Sequence, residues 1–186
     1  MIPVVGFGHR SRVGKDTCAK FLNTELRMLG ISTVHVSFAS KLKEVCFDLY
    51  GWAGLKRAIH YENCPADRQI VLPALNKTPV QIWVEVGNKL RDVYPLTWVQ
   101  AALRGQTNVK VVIVSDVRYQ NEVDAIRDLG GKVYKVKNSR AVVLDTIADN
   151  ALQEVPDDGW DGIIENEGTI ADLHSQMRVL SGQVRT

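Results

Sequence analysis

The chain has little cysteine, little net charge and no long apolar run, and each shortage removes a class of protein. Its three cysteines, Cys18, Cys46 and Cys64, are an odd number and match no metal-ligand spacing, so a disulfide framework is not expected. Cys18 lies inside a helical pattern as a small apolar filler, and the usage suits a reducing cytoplasm. A net charge of +2 makes no demand for a nucleic-acid partner. No apolar run approaches the length of a membrane span, and the first residues show no basic segment followed by a signal-like stretch. A soluble, cytoplasmic protein with no membrane or nucleic-acid partner is expected. Internal repeats and low-complexity tracts are also missing.

What is present fits one domain with a substantial core: 186 residues, 45% apolar and 24% charged. Ile2 to Phe7 is a short apolar run ending at Gly8, as a buried strand would. Cys18, Leu22, Leu26 and Leu29 follow at helical spacing with Gly30 as the stop. Val34, Val36 and Phe38 alternate as a second strand, and a helix from about Lys41 to Tyr50 ends at Gly51. The stretch from Trp52 to Lys77 reads as an irregular or helical excursion. Thr78-Pro79-Val80-Gln81 forms a capping box with proline at the first helical position, and Ile82, Val86 and Leu90 share a face of that helix. Thr97 and Gln100 suggest a second capping box, with the short helix closed by Gly105.

Val109 to Val114 is a near-continuous β-branched run, the mark of a strand buried on both faces, and it ends at Ser115-Asp116. An amphipathic helix over Asn121 to Leu129, a strand over Val133 to Val136 and a short strand at Ile163-Ile164 come next. A last helix starts at Thr169, with Ile170, Leu173, Met177 and Leu180 facing inward. Strands alternating with helices predict a three-layer α/β fold with a central parallel sheet flanked by helices, its ligand at the carboxyl ends of the strands.

The strongest chemical signal is Gly8-His9-Arg10-Ser11-Arg12-Val13-Gly14-Lys15-Asp16-Thr17, between a strand and a helix. In a loop of this kind the backbone N–H groups point inward and the helix dipole adds positive potential, so a nucleotide triphosphate is cradled. Gly14 lets the backbone approach the oxygens, Lys15 reaches the β- and γ-phosphates, and Arg10 and Arg12 add charge stabilisation. The usual spacing puts the first glycine at position 9, where this chain has His9; the loop is therefore one residue longer or shifted. The usual Mg²⁺-binding Ser or Thr after the lysine is Asp16, with Thr17 next, so either Asp16 or Thr17 would hold the ion. Asp116, at the end of the buried strand, would orient Mg²⁺ or its water shell. Arg118 projects two residues further on, suited to phosphate oxygens.

Several stretches together resemble the phage deoxynucleoside monophosphate kinases, within the P-loop nucleoside monophosphate kinase group. Arg12 to Thr17 is similar to that family's Gly-Lys-Asp-Thr loop. Ser37 to Glu44 resembles its F-A-D-P-L-K segment, with Ser40-Lys41 in place of Asp-Pro. Asp116 to Glu122, followed by Ala125-Ile126 and Gly130-Gly131, resembles its D-V-R-F-P-N-E strand end and helix, with Gln120 in place of Pro. Asn166 to Leu173 resembles its N-N-G-T-L-x-D-L. Gln81 to Arg91 resembles its L-Q-x-x-G-T-E-x-x-R helix, with Gly87 and Arg91 matching and Asn88-Lys89 in place of Thr-Glu.

The resemblance implies ATP-dependent phosphorylation of deoxynucleoside monophosphates to diphosphates, with ATP and Mg²⁺ as cofactors and nucleotides as the only required partners. It implies that Lys15, Arg12, Asp116 and Arg118 are catalytic. It also implies that Lys41, Trp83, Gly87, Asn88, Arg91 and Arg118 serve the acceptor, and it is compatible with a homodimer. A helical acceptor-binding or lid insertion would span about 51–105 of the single domain, with Arg68 in it. Two other readings stay open on the residues alone. One is a small P-loop kinase of the dephospho-coenzyme A or phosphomevalonate type, and the other is a non-catalytic nucleotide-binding or ATPase module. If phage-encoded, the protein would act in the host cytoplasm.

Overall fold

In a computed structural model, which describes residues 3–142 and 147–184, five parallel strands form one sheet. They are β1 (Val4–Gly8), β2 (Thr33–Val36), β3 (Val111–Val117), β4 (Lys132–Lys137) and β5 (Ile163–Glu165), in the order β2-β3-β1-β4-β5. The register aligns Val5 with Ile113 and with Lys132. The order reverses at β1: β3 lies to one side and β4 to the other. That makes the carboxyl end of β1 a topological switch point, where open α/β sheets leave a crevice for ligands.

The eight helices of the described residues are α1 (Lys15–Met28), α2 (Phe38–Tyr50), α3 (Ala58–Asn63), α4 (Pro79–Val93), α5 (Thr97–Leu103), α6 (Gln120–Asp128), α7 (Ile147–Asn150) and α8 (Ile170–Gln183). The chain forms two compact units. One holds the residues up to Ser37 and from Leu103 onward; the other is Phe38–Ala102.

In the first unit the period-2 alternation of the strands sorts the layers. Val5 and Phe7 of β1, Val111 and Ile113 of β3, and Tyr134 and Val136 of β4 share one core with Cys18, Leu22 and Leu26 of α1 and Leu173, Met177 and Leu180 of α8. The opposite face carries α6. A Cβ on Gly6 would meet Ile126 Cδ1 at 3.0 Å and Val117 Cγ2 at 3.1 Å, so α6 packs on this face against a strand with no side chain at that point. Helices on both sides of a parallel sheet give the three layers that the alternation predicts.

The second unit is helical. Cys46 of α2, Leu55, Tyr61 of α3, and Ile82 and Trp83 of α4 form its core. The excursion expected over Trp52 to Lys77 becomes α3 flanked by 3-10 turns at Gly51–Ala53 and Pro65–Gln69. The unit begins at Phe38 rather than near residue 51, because α2 packs on α4.

Local expectations met with mixed outcomes. The Thr78 box forms in full: Gln81 N–H donates to Thr78 Oγ1 (3.2 Å), and Thr78 N–H donates to Gln81 Oε1 (2.8 Å). Thr97 does not cap. Its hydroxyl donates back to the carbonyls of Leu90 and Tyr94, an alternative use that Ser and Thr side chains often take. Leu29 and Ile170 are exposed, since Leu29 already lies past α1 as its C-cap and Ile170 is the first residue of α8. α2 starts three residues before Lys41, and β3 runs two residues later at its start and three at its end than the β-branched run suggests. Asp116 therefore lies within the strand's last pair of residues.

Candidate active site

The turn from β1 into α1 is built on three residues with positive φ: His9 (99°), Arg12 (62°) and Gly14 (103°). The left-handed geometry due at the first glycine falls on His9, while Gly8 completes β1. The loop thus keeps the ordinary length, with a histidine carrying the glycine conformation. His9 is held there on two sides. Its Nδ1 lies 3.3 Å from Val136 O, and its ring meets Trp160 edge-on at 6.4 Å between centroids. Burial first, and then the nearby Lys135 charge, push its pKa down to about 4, so the ring is neutral at physiological pH.

Gly14 has a separate requirement. A Cβ there would stand 2.4 Å from Asn166 Nδ2, which donates to Val13 O at 2.9 Å. The asparagine just beyond β5 thereby fastens the loop 153 residues earlier in the chain.

Lys15 opens α1 and is almost wholly buried. Its ammonium donates to the carbonyls of His9 (3.0 Å) and Arg10, curling back over the loop. Burial lowers its pKa to about 8, helped by the Arg118 charge and opposed by Asp149, Asp16 and Asp116. Arg10 Nε is buried without a hydrogen-bond partner among the described residues, whereas Arg12 is exposed.

Asp149, on the short helix α7, holds the loop to the end of β3, and nothing in the sequence pattern signals it. Its Oδ1 accepts from Ser11 N–H (3.0 Å), Ser11 Oγ (2.7 Å) and Arg118 Nη1 (2.6 Å). Arg118 also donates to Ser11 Oγ at 2.8 Å. The guanidinium therefore stands at the phosphate loop itself. Its backbone N–H and that of Tyr119 donate to the buried Glu122 carboxylate at the start of α6, which sets the chain direction leaving β3. An acidic residue three positions into a helix is the available signal for that contact.

Asp116 Oδ2 accepts from Ser37 Oγ at 2.8 Å. Asp16 and Asp116 both lie near enough for their charges to act on the Lys15 ammonium and on the His35 imidazole. With the Thr17 hydroxyl they offer hard oxygen donors of the type Mg²⁺ takes. Beyond the loop, a cavity of about 380 Å³ is bordered by His9, Arg10, Lys137, Ser139 and Glu167 among others. Glu167 accepts from both Ser139 N–H (2.5 Å) and Ser139 Oγ (2.7 Å), joining the segments that leave β4 and β5.

The structure thus brings Gly8 to Thr17, Asp116 and Arg118 together in the first unit. Lys41, Trp83, Gly87, Asn88 and Arg91 belong to the second. There Trp83 is buried edge-on to Tyr61 at 5.1 Å, with Lys43 Nζ 5.2 Å from its ring centroid. Gly87 lets α4 approach Leu42, whose Cδ2 would stand 3.1 Å from an added Cβ, and its carbonyl accepts from Trp98 Nε1 at 3.1 Å. Asn88 is exposed and Arg91 half-buried. Lys41 pairs with Glu44 at 2.6 Å on the surface, and Arg68 donates twice to Tyr61 O (3.1 and 2.8 Å). Among the described residues no helix is long and apolar enough to cross a membrane.

A parallel sheet with helices on both faces, and a lysine-bearing loop leading from its central strand into a helix, define a three-layer P-loop kinase fold. The family model for deoxynucleotide monophosphate kinases matches residues 85–177, half of the chain, and the chain belongs to that family. The matched span holds Asp116, Arg118, Asp149 and Asn166 but not the loop, so the loop is an independent sign of phosphate binding. A search of curated proteins returns no match. Among solved structures, a mutant of the Mycobacterium tuberculosis APS kinase CysC is 13% identical, with 100% of this chain and 98% of that one covered and a TM-score of 0.44. A protein described as APE1195 is 12% identical, with 100% and 97% covered and a TM-score of 0.49.

Proposed function

We propose that the protein transfers the γ-phosphoryl group of ATP to the phosphate of a deoxynucleoside monophosphate, giving the diphosphate. The observation that carries the reading is the convergence of Arg118 and the Ser11 loop on one buried carboxylate, with Lys15 curled over the same loop, in a chain of the deoxynucleotide monophosphate kinase family.

Phosphoryl transfer asks for positioning and for charge placed where the transferred oxygens become more negative. The inward N–H groups of the loop and the dipole of α1 favour a polyphosphate. Lys15 would exchange its carbonyl partners for phosphate oxygens, and Arg10 Nε–H would find the acceptor atom it lacks. Arg118, held by Asp149, would neutralise the transferred group, and the exposed Arg12 would join it. The remainder of the donor nucleotide has room in the cavity beside His9 and Ser139.

Asp16, Thr17 and Asp116 are the residues that would hold Mg²⁺, which when bound neutralises phosphate charge. The Ser37 hydroxyl donates to the Asp116 carboxylate and orients it. The acceptor is already an anion, so no strong general base is needed. Lys41, Trp83, Gly87, Asn88 and Arg91 are proposed as acceptor contacts on the family resemblance.

A coupled ADP-release assay over a panel of dNMPs, NMPs and non-nucleotide acceptors tests the reading. Stimulation by one or more dNMPs is expected. Flat basal hydrolysis, or stimulation only by a non-nucleotide phosphate, would overturn it. Replacing Arg91 with Gln should raise KM for the dNMP while leaving KM for ATP unchanged.

A further inference from the structure

We propose that His60, Cys64 and Asp67 of the helical unit form a zinc-binding site. Their ligand atoms, one from each residue, all lie within 4.8 Å of one another. His60 lies in α3, Cys64 is the C-cap of that helix, and Asp67 lies in the 3-10 segment Pro65–Gln69 that follows. The proposal concerns the helical unit alone and does not rest on the kinase reading.

The donor set selects the metal. A thiolate, an imidazole and a carboxylate suit a borderline-soft ion such as Zn²⁺ and offer Mg²⁺, which takes oxygen ligands, a single carboxylate. The two anionic ligands would cancel the charge of the ion. Three protein ligands also leave a fourth tetrahedral position for water.

The backbone brings the donors together before any ion arrives. Cys64 N–H donates to His60 O (2.8 Å), and Asp67 N–H donates to Cys64 O (3.1 Å), so each ligand is tied to the next. Arg68 fastens the turn through its two bonds to Tyr61 O. The His60 ring stands edge-on to Tyr61 at 5.2 Å, and Tyr61 is itself in the core of the unit. His60 Nε2 lies 2.7 Å from Asp67 Oδ2, at the distance of a hydrogen bond whose proton lies between them. An ion would take the place of that proton. Tetrahedral bonds of ordinary length put donors roughly 3.3–3.6 Å apart, so the triad needs side-chain shifts of about 1 Å.

Cys64 is exposed, whereas Cys18 and Cys46 are buried. A thiol reagent therefore reads Cys64 apart from the other two, and the spacing of cysteines alone gave no pointer because the partners are His and Asp.

The test uses the full chain, stripped with EDTA, and zinc chloride against a chromophoric chelator. One zinc per chain is expected, with affinity reduced at least about tenfold in Cys64→Ser and in His60→Gln. Cobalt should give a thiolate-to-metal charge-transfer band that Cys64→Ser lacks. Zinc should slow the reaction of Cys64 with Ellman's reagent and raise the melting temperature of the unaltered chain but not of the variants. Absence of saturable binding at micromolar zinc, or equal binding by Cys64→Ser, would overturn the proposal. Because Cys64 is at the surface, Cys64→Ser is expected to fold normally, and its circular dichroism verifies that.

Discussion

Arg118 Nη1 lies 2.6 Å from Asp149 Oδ1, and that same oxygen accepts both the N–H and the hydroxyl of Ser11. One carboxylate with no exposed surface thus fixes the loop and the arginine at the end of β3 in a common frame. Asp149→Asn keeps the shape and removes the charge. A charge-assisted bond is worth about 1.5–3 kcal/mol, so kcat/KM should fall roughly 10- to 100-fold and the urea midpoint should drop. Steady-state kinetics and equilibrium unfolding check both arms.

Lys15 should trade stability against activity. Its pKa of about 8 lies below the ordinary 10.5, so the folded protein holds the proton less readily than the unfolded chain. That destabilisation is fully present below pH 8 and is relieved as pH rises from 8 towards 10.5. Lys15→Met should therefore melt at a higher temperature at pH 7 while losing turnover by about 10²–10³-fold or more. In the unaltered enzyme, kcat/KM should decline above about pH 8, since that parameter reports the free enzyme. Lys15→Arg stays charged, so any residual activity should lack the decline.

His9 controls the acid side of stability. Its folded pKa of about 4 is below the usual 6.5, so the unfolded chain binds the extra proton first. Stability contributed by neutral His9 is present above pH 6.5 and is lost as pH falls towards 4. His9→Asn accepts a positive φ and does not titrate. Its melting temperature should depend less on pH between 6.5 and 4 than that of the parent, as measured by calorimetry.

The helical unit offers a separate check. Thr78→Ala removes the bond from Gln81 N–H to Thr78 Oγ1 and keeps the backbone bond to Gln81 Oε1, which should cost about 0.5–2 kcal/mol. Urea denaturation measures the loss. Thr97→Ala, by contrast, breaks no capping contact to Gln100.

What could be read from the sequence was local. The Thr78 box, the buried β3 run and the strand–loop–helix turn each depend on residues a few positions apart. The same rule failed at Thr97, because the preceding carbonyls of Leu90 and Tyr94 competed for its hydroxyl. The resemblance picked out the stretch around Asn166, but not its purpose; that depends on a contact with Val13 across 153 positions. Asp149 was invisible for the same reason. It lies 138 positions from Ser11 on a four-residue helix that carries no periodic signal. The two-unit division was also hidden, since α2 shows an ordinary amphipathic pattern and only its packing on α4 assigns it to the helical unit.

Phe38–Ala102 is threaded into the single connection between β2 and β3, which are themselves hydrogen-bonded neighbours. The sheet thus has no strand within the insert, and every ladder partner is encoded outside it. Heritable change can accumulate in those 65 residues without shifting a single strand register. The strands and the phosphate loop are thus encoded on either side of one contiguous piece of chain, whose length can change without altering any ladder pair.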